Sequence, residues 1–245
     1  MKKVKIYGER NTGTNYLSKL ISINFECELV KGTVPINIDK VFRRLSSKES
    51  LRDFYFSITK NNLGWKHREL DETFLKSTPS NISIAFITLT KNPYSWLLSM
   101  YNRPYHMFNK KKLSFEEFLV EKCVPLGREC KTGYYENPVD MWNKKNTSYI
   151  NLAKQFEVEL LTYEDLLFNP LEQLIKLKAK FNFIEKEGYP INYMKSTKDD
   201  DKNADFYLKY YGEELWRSKL SEENINVINK HLAEDIVDYF GYSFI

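Results

Sequence analysis

Residues 82–90 read Ile-Ser-Ile-Ala-Phe-Ile-Thr-Leu-Thr, apolar almost throughout. A strand with one face in water alternates apolar and polar side chains. A run like this one is buried on both faces, the pattern of a strand inside a parallel sheet covered by helices on either side. Other strands are expected around it. Residues 3–7 (KVKIY) alternate and are broken by Gly8, a second strand is expected to end at Trp65, and Val158–Thr162 forms a fourth.

Helix starts fall between these strands. Asn-Pro occurs at Asn92-Pro93, Asn137-Pro138 and Asn169-Pro170, where asparagine can accept from free helix N–H groups and proline suits the first turn. Ser114 and Glu117 have the spacing of a capping box. A helical period with Leu17, Leu20 and Ile21 on one face follows Gly13, and a last helix after Ser221 carries the stripe Ile225, Ile228, Leu232 and Ile236. Strands alternating with helices imply right-handed βαβ units and a mostly parallel sheet, hence an α/β, three-layer α/β/α fold.

The 245 residues suit one domain spanning 1–245, and 42% hydrophobic content excludes wholesale disorder. With 37 basic against 33 acidic side chains the formal charge is +4, which permits an anionic ligand and does not suggest a nucleic-acid groove. Cys27, Cys123 and Cys130 are too few and too scattered for a disulfide framework or a zinc site. The chain has no run long and apolar enough for a membrane span and no apolar signal core near its start; a cytoplasmic setting is expected. The runs Lys110-Lys111-Lys112 and Asp199-Asp200-Asp201 are expected in solvated loops.

In parallel sheets ligands bind beyond the carboxyl ends of strands, so the junctions after Tyr7, Trp65 and Thr90 are where chemistry is expected. Residues 8–15 read Gly8-Glu9-Arg10-Asn11-Thr12-Gly13-Thr14-Asn15, with the G-x-x-x-x-G spacing of a phosphate loop between a strand and a helix. Backbone N–H groups and the helix dipole can hold an anion there, with Arg10, Thr12 and Thr14 as further donors. A loop that uses Mg-ATP has Lys and then Ser or Thr after its second glycine; here Thr14 and Asn15 stand in those places. The loop therefore suits an anion and suits magnesium-dependent phosphoryl transfer poorly. At the third junction Lys91 lies at the strand's end and Ser99 eight positions on, so that a cation and a hydroxyl from one corner can converge on a second phosphate.

Together the two junctions resemble the sulfotransferases that use 3′-phosphoadenosine 5′-phosphosulfate (PAPS), and the resemblance implies a P-loop NTPase-like version of the fold. Thr12-Gly13-Thr14-Asn15 is similar to the family's 5′-phosphosulfate loop K/R-S/T-G-T-T, and Lys91-Asn92-Pro93 with Ser99 is similar to its R-(D/N)-P-x6-S element, which holds the 3′-phosphate. Tyr163-Glu164-Asp165-Leu166 through Pro170 resembles the family's Y-E-D-L-x-x-x-P, and Phe240-Gly241-Tyr242 its ending. By this resemblance Arg10, Asn11, Thr12, Gly13, Thr14, Asn15, Lys91 and Ser99 bind the donor, PAP is the product and no metal takes part. Two departures stand out. Asn11 occupies the place of the loop's usual cation, with Arg10 one residue earlier, and the C-terminal basic-glycine motif has no clear counterpart, Lys195, Lys198 and Lys209 being substitutes that cannot be assigned.

At the second junction Lys66 and His67 partly match the Lys-x-His of some members, whose histidine deprotonates the acceptor. A neutral imidazole, with an ordinary pKa of roughly 6.5, can take a hydroxyl proton as the new S–O bond forms. Lys66, Arg10 and Thr14 would stabilise the leaving phosphate; Glu69, Asp71 and Glu72 are alternative bases. The acceptor side says little. Residues 103–113 and 123–137, with Tyr105, His106, Tyr134 and Tyr135, read as loops or lids, and residues 31–61 show no clean period and read as an acceptor-specific insertion. A carbohydrate hydroxyl as acceptor is an analogy to the family. The alternatives are a module that binds PAP or PAPS without transfer, and a P-loop kinase.

Overall fold

The structure, a computed structural model, describes residues 1–59, 62–79, 83–104, 113–130, 133–193 and 203–245. The chain runs β1 (Lys2–Gly8), α1 (Thr14–Asn24), β2 (Cys27–Leu29), α2 (Ile36–Phe42), α3 (Lys48–Ile58), α4 (Glu72–Ser77), β3 (Ile84–Thr90) and α5 (Pro93–Asn102). It continues through α6 (Phe115–Val120), α7 (Pro138–Ala153), β4 (Val158–Thr162), α8 (Tyr163–Phe168), α9 (Pro170–Phe181), α10 (Ala204–Gly212), α11 (Glu222–His231) and α12 (Glu234–Tyr239). The strands lie in the order β2-β1-β3-β4 and every pairing is parallel.

Helices cover the sheet on both faces, giving the expected α/β architecture. Val4 and Ile6 point to one side with Ala85, Ile87 and Leu89, where Leu17, Leu20 and Ile21 of α1 and Leu174 and Leu177 of α9 close over them. Tyr7, Phe86 and Val158 point to the other, against Tyr149 and Leu152 of α7 and Phe74 and Leu75 of α4. A further cluster, built on Trp96, Phe118, Trp142, Ile228 and Ile236, joins α5, α6, α7, α11 and α12. Burial of an aromatic or aliphatic side chain of this size is worth about 1.5–3 kcal/mol.

Local signals explain most of the element ends. Asn92 accepts from the N–H groups of Tyr94 and Ser95, Asn137 accepts from that of Asp140, and Ser114 and Glu117 close their capping box. Asn169 makes no side-chain cap. The stripe after Ser221 is divided between α11 and α12, because Leu232 and Ala233 leave the helical conformation.

One expectation about the order of elements is corrected. The second strand is Cys27–Leu29, not a segment ending at Trp65. Leu63 and Gly64 have φ of 54° and 74°, and two successive left-handed residues do not continue a strand. Residues 31–61 contain α2 and α3, which bury no residue fully, so their apolar side chains supplied no sharp inward stripe. Lys5 is a further surprise. A charged residue of the alternating run, it is fully buried beside Tyr7 and donates to the carbonyls of Asn62 and Gly64 at 2.5 and 2.6 Å. Those bonds fix the turn that leads into Trp65-Lys66-His67. Lys110 to Lys112, Asp199 to Asp201, Tyr105, His106, Lys195 and Lys198 lie outside the described residues.

Candidate functional site

Strand register brings the carboxyl ends of β1, β3 and β4 to one edge of the sheet. Gly8 lies opposite Leu89, and Thr90 opposite Thr162. The chain therefore leaves β1, β3 and β4 at nearly the same level, placing residues 9–13, Lys91 and Tyr163 side by side.

The first loop is tightly built. A Cβ on Gly8 would lie 2.7 Å from the carbonyl oxygen of Leu89, and one on Gly13 would lie 2.9 Å from the Tyr163 ring. Gly13 also has φ of 90°, which glycine adopts without steric cost. Thr12 donates its hydroxyl to the Glu9 carbonyl at 2.6 Å and closes the turn. The N-cap of α1 supplies no side-chain acceptor and the first turn holds no acid. The leading N–H groups of α1, with the positive end of its dipole, thus begin beside buried Thr14 with no anionic side chain to cap them. Asn11, at φ of 65°, turns its amide to the Ser99 carbonyl at 3.2 Å and ties the loop to α5.

Lys91 also stands beside Tyr163. Its ammonium group is almost wholly buried and donates to the Ser99 hydroxyl at 3.0 Å and the Tyr211 hydroxyl at 2.6 Å. It also lies 4.3 Å from the Tyr211 ring centre and 5.0 Å from that of Tyr163. Among the described residues no carboxylate forms an ion pair with it. Burial lowers its pKa to about 7, against the weaker pull of Glu164. A buried lysine without a carboxylate partner, held by hydroxyls, gains a great deal from a phosphate and little from anything uncharged. Trp142 fixes the Lys91 backbone through a 3.0 Å bond to its carbonyl. Glu164 accepts from the Asn92 N–H at 3.2 Å and from the Tyr242 hydroxyl at 2.8 Å, which joins the YEDL corner and the chain's FGY ending to the Lys91 corner.

The Trp65-Lys66-His67 segment threads between β1 and the chain beyond β2 without being a strand. Gly8 donates to the Lys66 carbonyl at 3.0 Å and Lys66 to the Gly32 carbonyl at 3.1 Å. A Cβ on Gly32 would come within 2.6 Å of the Lys66 Cβ, so a glycine is required there. The Lys66 ammonium reaches Asn15 Oδ1 at 2.6 Å, across the start of α1, and burial lowers its pKa to about 8. His67 Nδ1 is 2.5 Å from the Gly8 carbonyl. A carbonyl only accepts, so Nδ1 carries the hydrogen and a neutral ring presents a lone pair at Nε2. Burial, then the positive charges of Lys66 and Arg10, hold the imidazole pKa well below its usual value.

The guanidinium of Arg10, expected to add a donor to the cradle, is bonded through Nη1 and Nη2 to Glu129 at 2.6 and 3.0 Å. It lies 4.6 Å from the Trp65 ring centre. Glu9, Arg10, Glu129 and Lys145 form a buried quartet: Lys145 contacts Glu9, reaches Glu129 at 2.5 Å and donates to the His67 carbonyl at 2.8 Å. Burial alone would raise the Glu129 pKa, but Arg10 and Lys145 outweigh it and hold the carboxyl at about 2. The quartet is a charge-balanced floor beneath His67. Of the alternative bases, Asp71 caps α4 by accepting from the Phe74 N–H, Glu72 pairs with Lys76 on the surface, and Glu69 accepts from the Tyr135 hydroxyl at 2.8 Å.

Glu129, Lys145 and Tyr211 were not found by sequence reasoning. Lys145 left a signal, since it shares the buried face of α7 with Met141, Trp142, Ser148 and Tyr149, where a charge needs a reason. Glu129 lies in a polar loop without period, and Tyr211 among several aromatic residues of α10, so neither was marked. Lys209 lies on α10 with an exposed side chain.

The architecture matches known structures. The sulfotransferase domain from the curacin biosynthetic pathway superposes with a TM-score of 0.50 at 12% identity, covering 99% of this chain and 98% of that one. Retinol dehydratase in complex with androsterone and the inactive cofactor PAP gives 0.46 at 11% identity, over 99% and 82%. Mouse sulfotransferase SULT7A1 complexed with PAP gives 0.36 at 12%, over 98% and 78%. No family model matches the chain and no curated protein matches it. The chain has a sulfotransferase-like fold. Among the described residues no helix is long and apolar enough to cross a membrane.

Proposed function

We propose that this protein is a sulfotransferase that uses PAPS as donor and a hydroxyl compound as acceptor. The observation that carries the reading is Lys91: a buried ammonium held by Ser99 and Tyr211, without an ion-pair partner among the described residues, beside a glycine loop that opens an uncapped helix. Two anion sites beside one aromatic ring suit a nucleotide phosphorylated at both ends. When bound, PAPS supplies a sulfuryl group already activated as a mixed anhydride with phosphate, and PAP is what remains.

The residues divide the work. The N–H groups at the start of α1, with Gly13 and Thr14, receive the 5′ end, and Thr12 shapes the turn. Lys66, positioned by Asn15, neutralises charge that develops on the leaving oxygen. Lys91, Ser99 and Tyr211 hold the 3′-phosphate, Tyr211 supplying the donor for which the sequence offered no basic-glycine motif. Asn11 keeps the two sites in register. His67 accepts the acceptor's proton at Nε2 while Gly8 holds the ring in the required tautomer. Arg10 is a positioning residue, locking Glu129 and Trp65 behind the histidine.

The direct test is transfer of labelled sulfur from PAPS to a panel of hydroxyl acceptors, with Lys66→Ala as control. Transfer that falls about 10–100-fold in the variant supports the reading. PAP binding without transfer to any acceptor would favour the module that binds and does not react.

A further inference from the structure

Beyond His67 a cleft of about 450 Å³ opens between the Trp65-Lys66-His67 segment and the α2–α3 pair. A space of this size holds a ligand of one or two rings. Its apolar wall comes from Val34, Ile36 and Phe56, and its rim from Lys40, Arg43 and Arg52. The charges of this region can be balanced. Asp39 takes Arg43 and Arg52 at 2.6 and 2.7 Å, Glu49 takes Arg52 and Arg128 at 2.6 Å each, and Asp53 takes Arg128 at 2.6 Å. Three arginines thus meet three acids. Arg10, which also lines the cleft, is neutralised within the buried quartet. Two cations remain. Lys66 is bonded to a neutral amide oxygen, and among the described residues Lys40 has no acidic partner.

We infer that the acceptor is an anionic hydroxyl compound, whose negative group is bound at Lys40 and whose apolar face lies on Val34, Ile36 and Phe56, with its hydroxyl presented to His67. A cleft carrying two uncompensated positive charges and no unpaired acid among the described residues attracts anions and repels cationic acceptors. Lys66 belongs to the transfer centre, so Lys40 is the residue that sets the acceptor's charge. The inference rests on the proposed roles of His67 and Lys66.

The test uses two probes with the same aryl body, p-nitrophenyl β-D-glucuronide and p-nitrophenyl β-D-glucoside, titrated calorimetrically into the full chain saturated with PAP. The glucuronide is expected to bind about tenfold more tightly at low salt, the preference shrinking at high salt. Lys40→Gln, at an exposed site without structural bonds, should reduce the preference below about twofold while PAP affinity stays unchanged. Equal binding of the two probes, binding of neither, or a preference that survives Lys40→Gln would overturn the inference. PAP affinity, measured first in the same samples, separates this outcome from failure of the donor reading, which would appear as no PAP binding at all.

Discussion

Asn11 donates its side-chain amide to the Ser99 carbonyl at 3.2 Å, linking residues 88 positions apart in the chain. The bond joins the loop after β1 to the helix after β3, so the two proposed phosphate sites are parts of one rigid corner. Asn11→Ala should weaken PAP binding about 3–10-fold, the value of one hydrogen bond of roughly 0.5–1.5 kcal/mol, and should also lower the melting temperature because alanine is strained at φ of 65°. Asn11→Gly removes the same bond without that strain. It should weaken PAP binding equally and separate the loss of the bond from the strain; unaltered PAP affinity in both variants would show that the link is unimportant.

Lys91 makes both stability and binding depend on pH. Its folded pKa of about 7 lies below the unfolded value of about 10.4, so between these limits the unfolded chain holds a proton that the folded chain lacks. Stability therefore rises with pH across that window and is lowest below it. A bound phosphate restores the ammonium form, so PAP binding at pH 8 should take up a proton. Calorimetry in two buffers of different ionisation enthalpy reads this uptake directly. In Lys91→Met the uptake should fall to what Lys66 alone contributes, PAP affinity should fall about 10–100-fold, and the rise of stability above pH 7 should flatten.

The buried ion quartet supports the base. Glu129→Gln would leave Arg10 and Lys145 facing a neutral amide, and loss of one partner from a buried ion cluster costs about 3–5 kcal/mol. Chemical denaturation should register that loss at pH 7. With the carboxyl held at about 2, the contribution is fully present above the ordinary carboxylate pKa of about 4.3 and is lost as pH falls towards 2. The variant's deficit should accordingly shrink in acid.

For His67 the expected variant is His67→Asn, whose amide can still donate to the Gly8 carbonyl. Transfer should fall about 10²–10⁴-fold while PAP binding and melting stay near wild type. Because burial holds the imidazole pKa down, the acid limb of kcat/KM should lie below pH 6.5, the ordinary histidine value of about 6.5 being its upper bound. Undiminished transfer in His67→Asn would move the role of base to Glu69, the one of the three alternative bases not engaged at the start of α4.

What could be read in advance was what local pattern controls. The doubly apolar run gave a central parallel strand because no other environment buries both faces. Asn92, Asn137 and Ser114 marked helix starts because capping is decided within four residues. Lys91 and Ser99 were legible as a pair because one helix of fixed geometry separates them. The missing parts depend on distant chain. Lys5 looks like the outer residue of an alternating strand until the turn at Asn62 and Gly64 covers it. Trp65 to His67 imitate a strand end, yet they are held by single bonds to Gly8 and Gly32. Glu129, Lys145 and Arg10 come from three elements, and only their packing makes a balanced quartet. Tyr211 reaches Lys91 from α10, which no spacing rule connects to residue 91.

The most direct measurement is a comparison of melting temperatures with PAP and with Mg-ATP, each with and without a chelator, on wild type and Lys91→Met. A ligand at about 100 times its Kd stabilises a fold by about 2.7 kcal/mol. PAP should produce a stabilisation of this order in wild type, the chelator should leave it intact, and Lys91→Met should remove most of it, with Mg-ATP giving less than PAP throughout. Greater stabilisation by Mg-ATP, or no response to PAP in the wild-type chain, would contradict the two-site account of the donor.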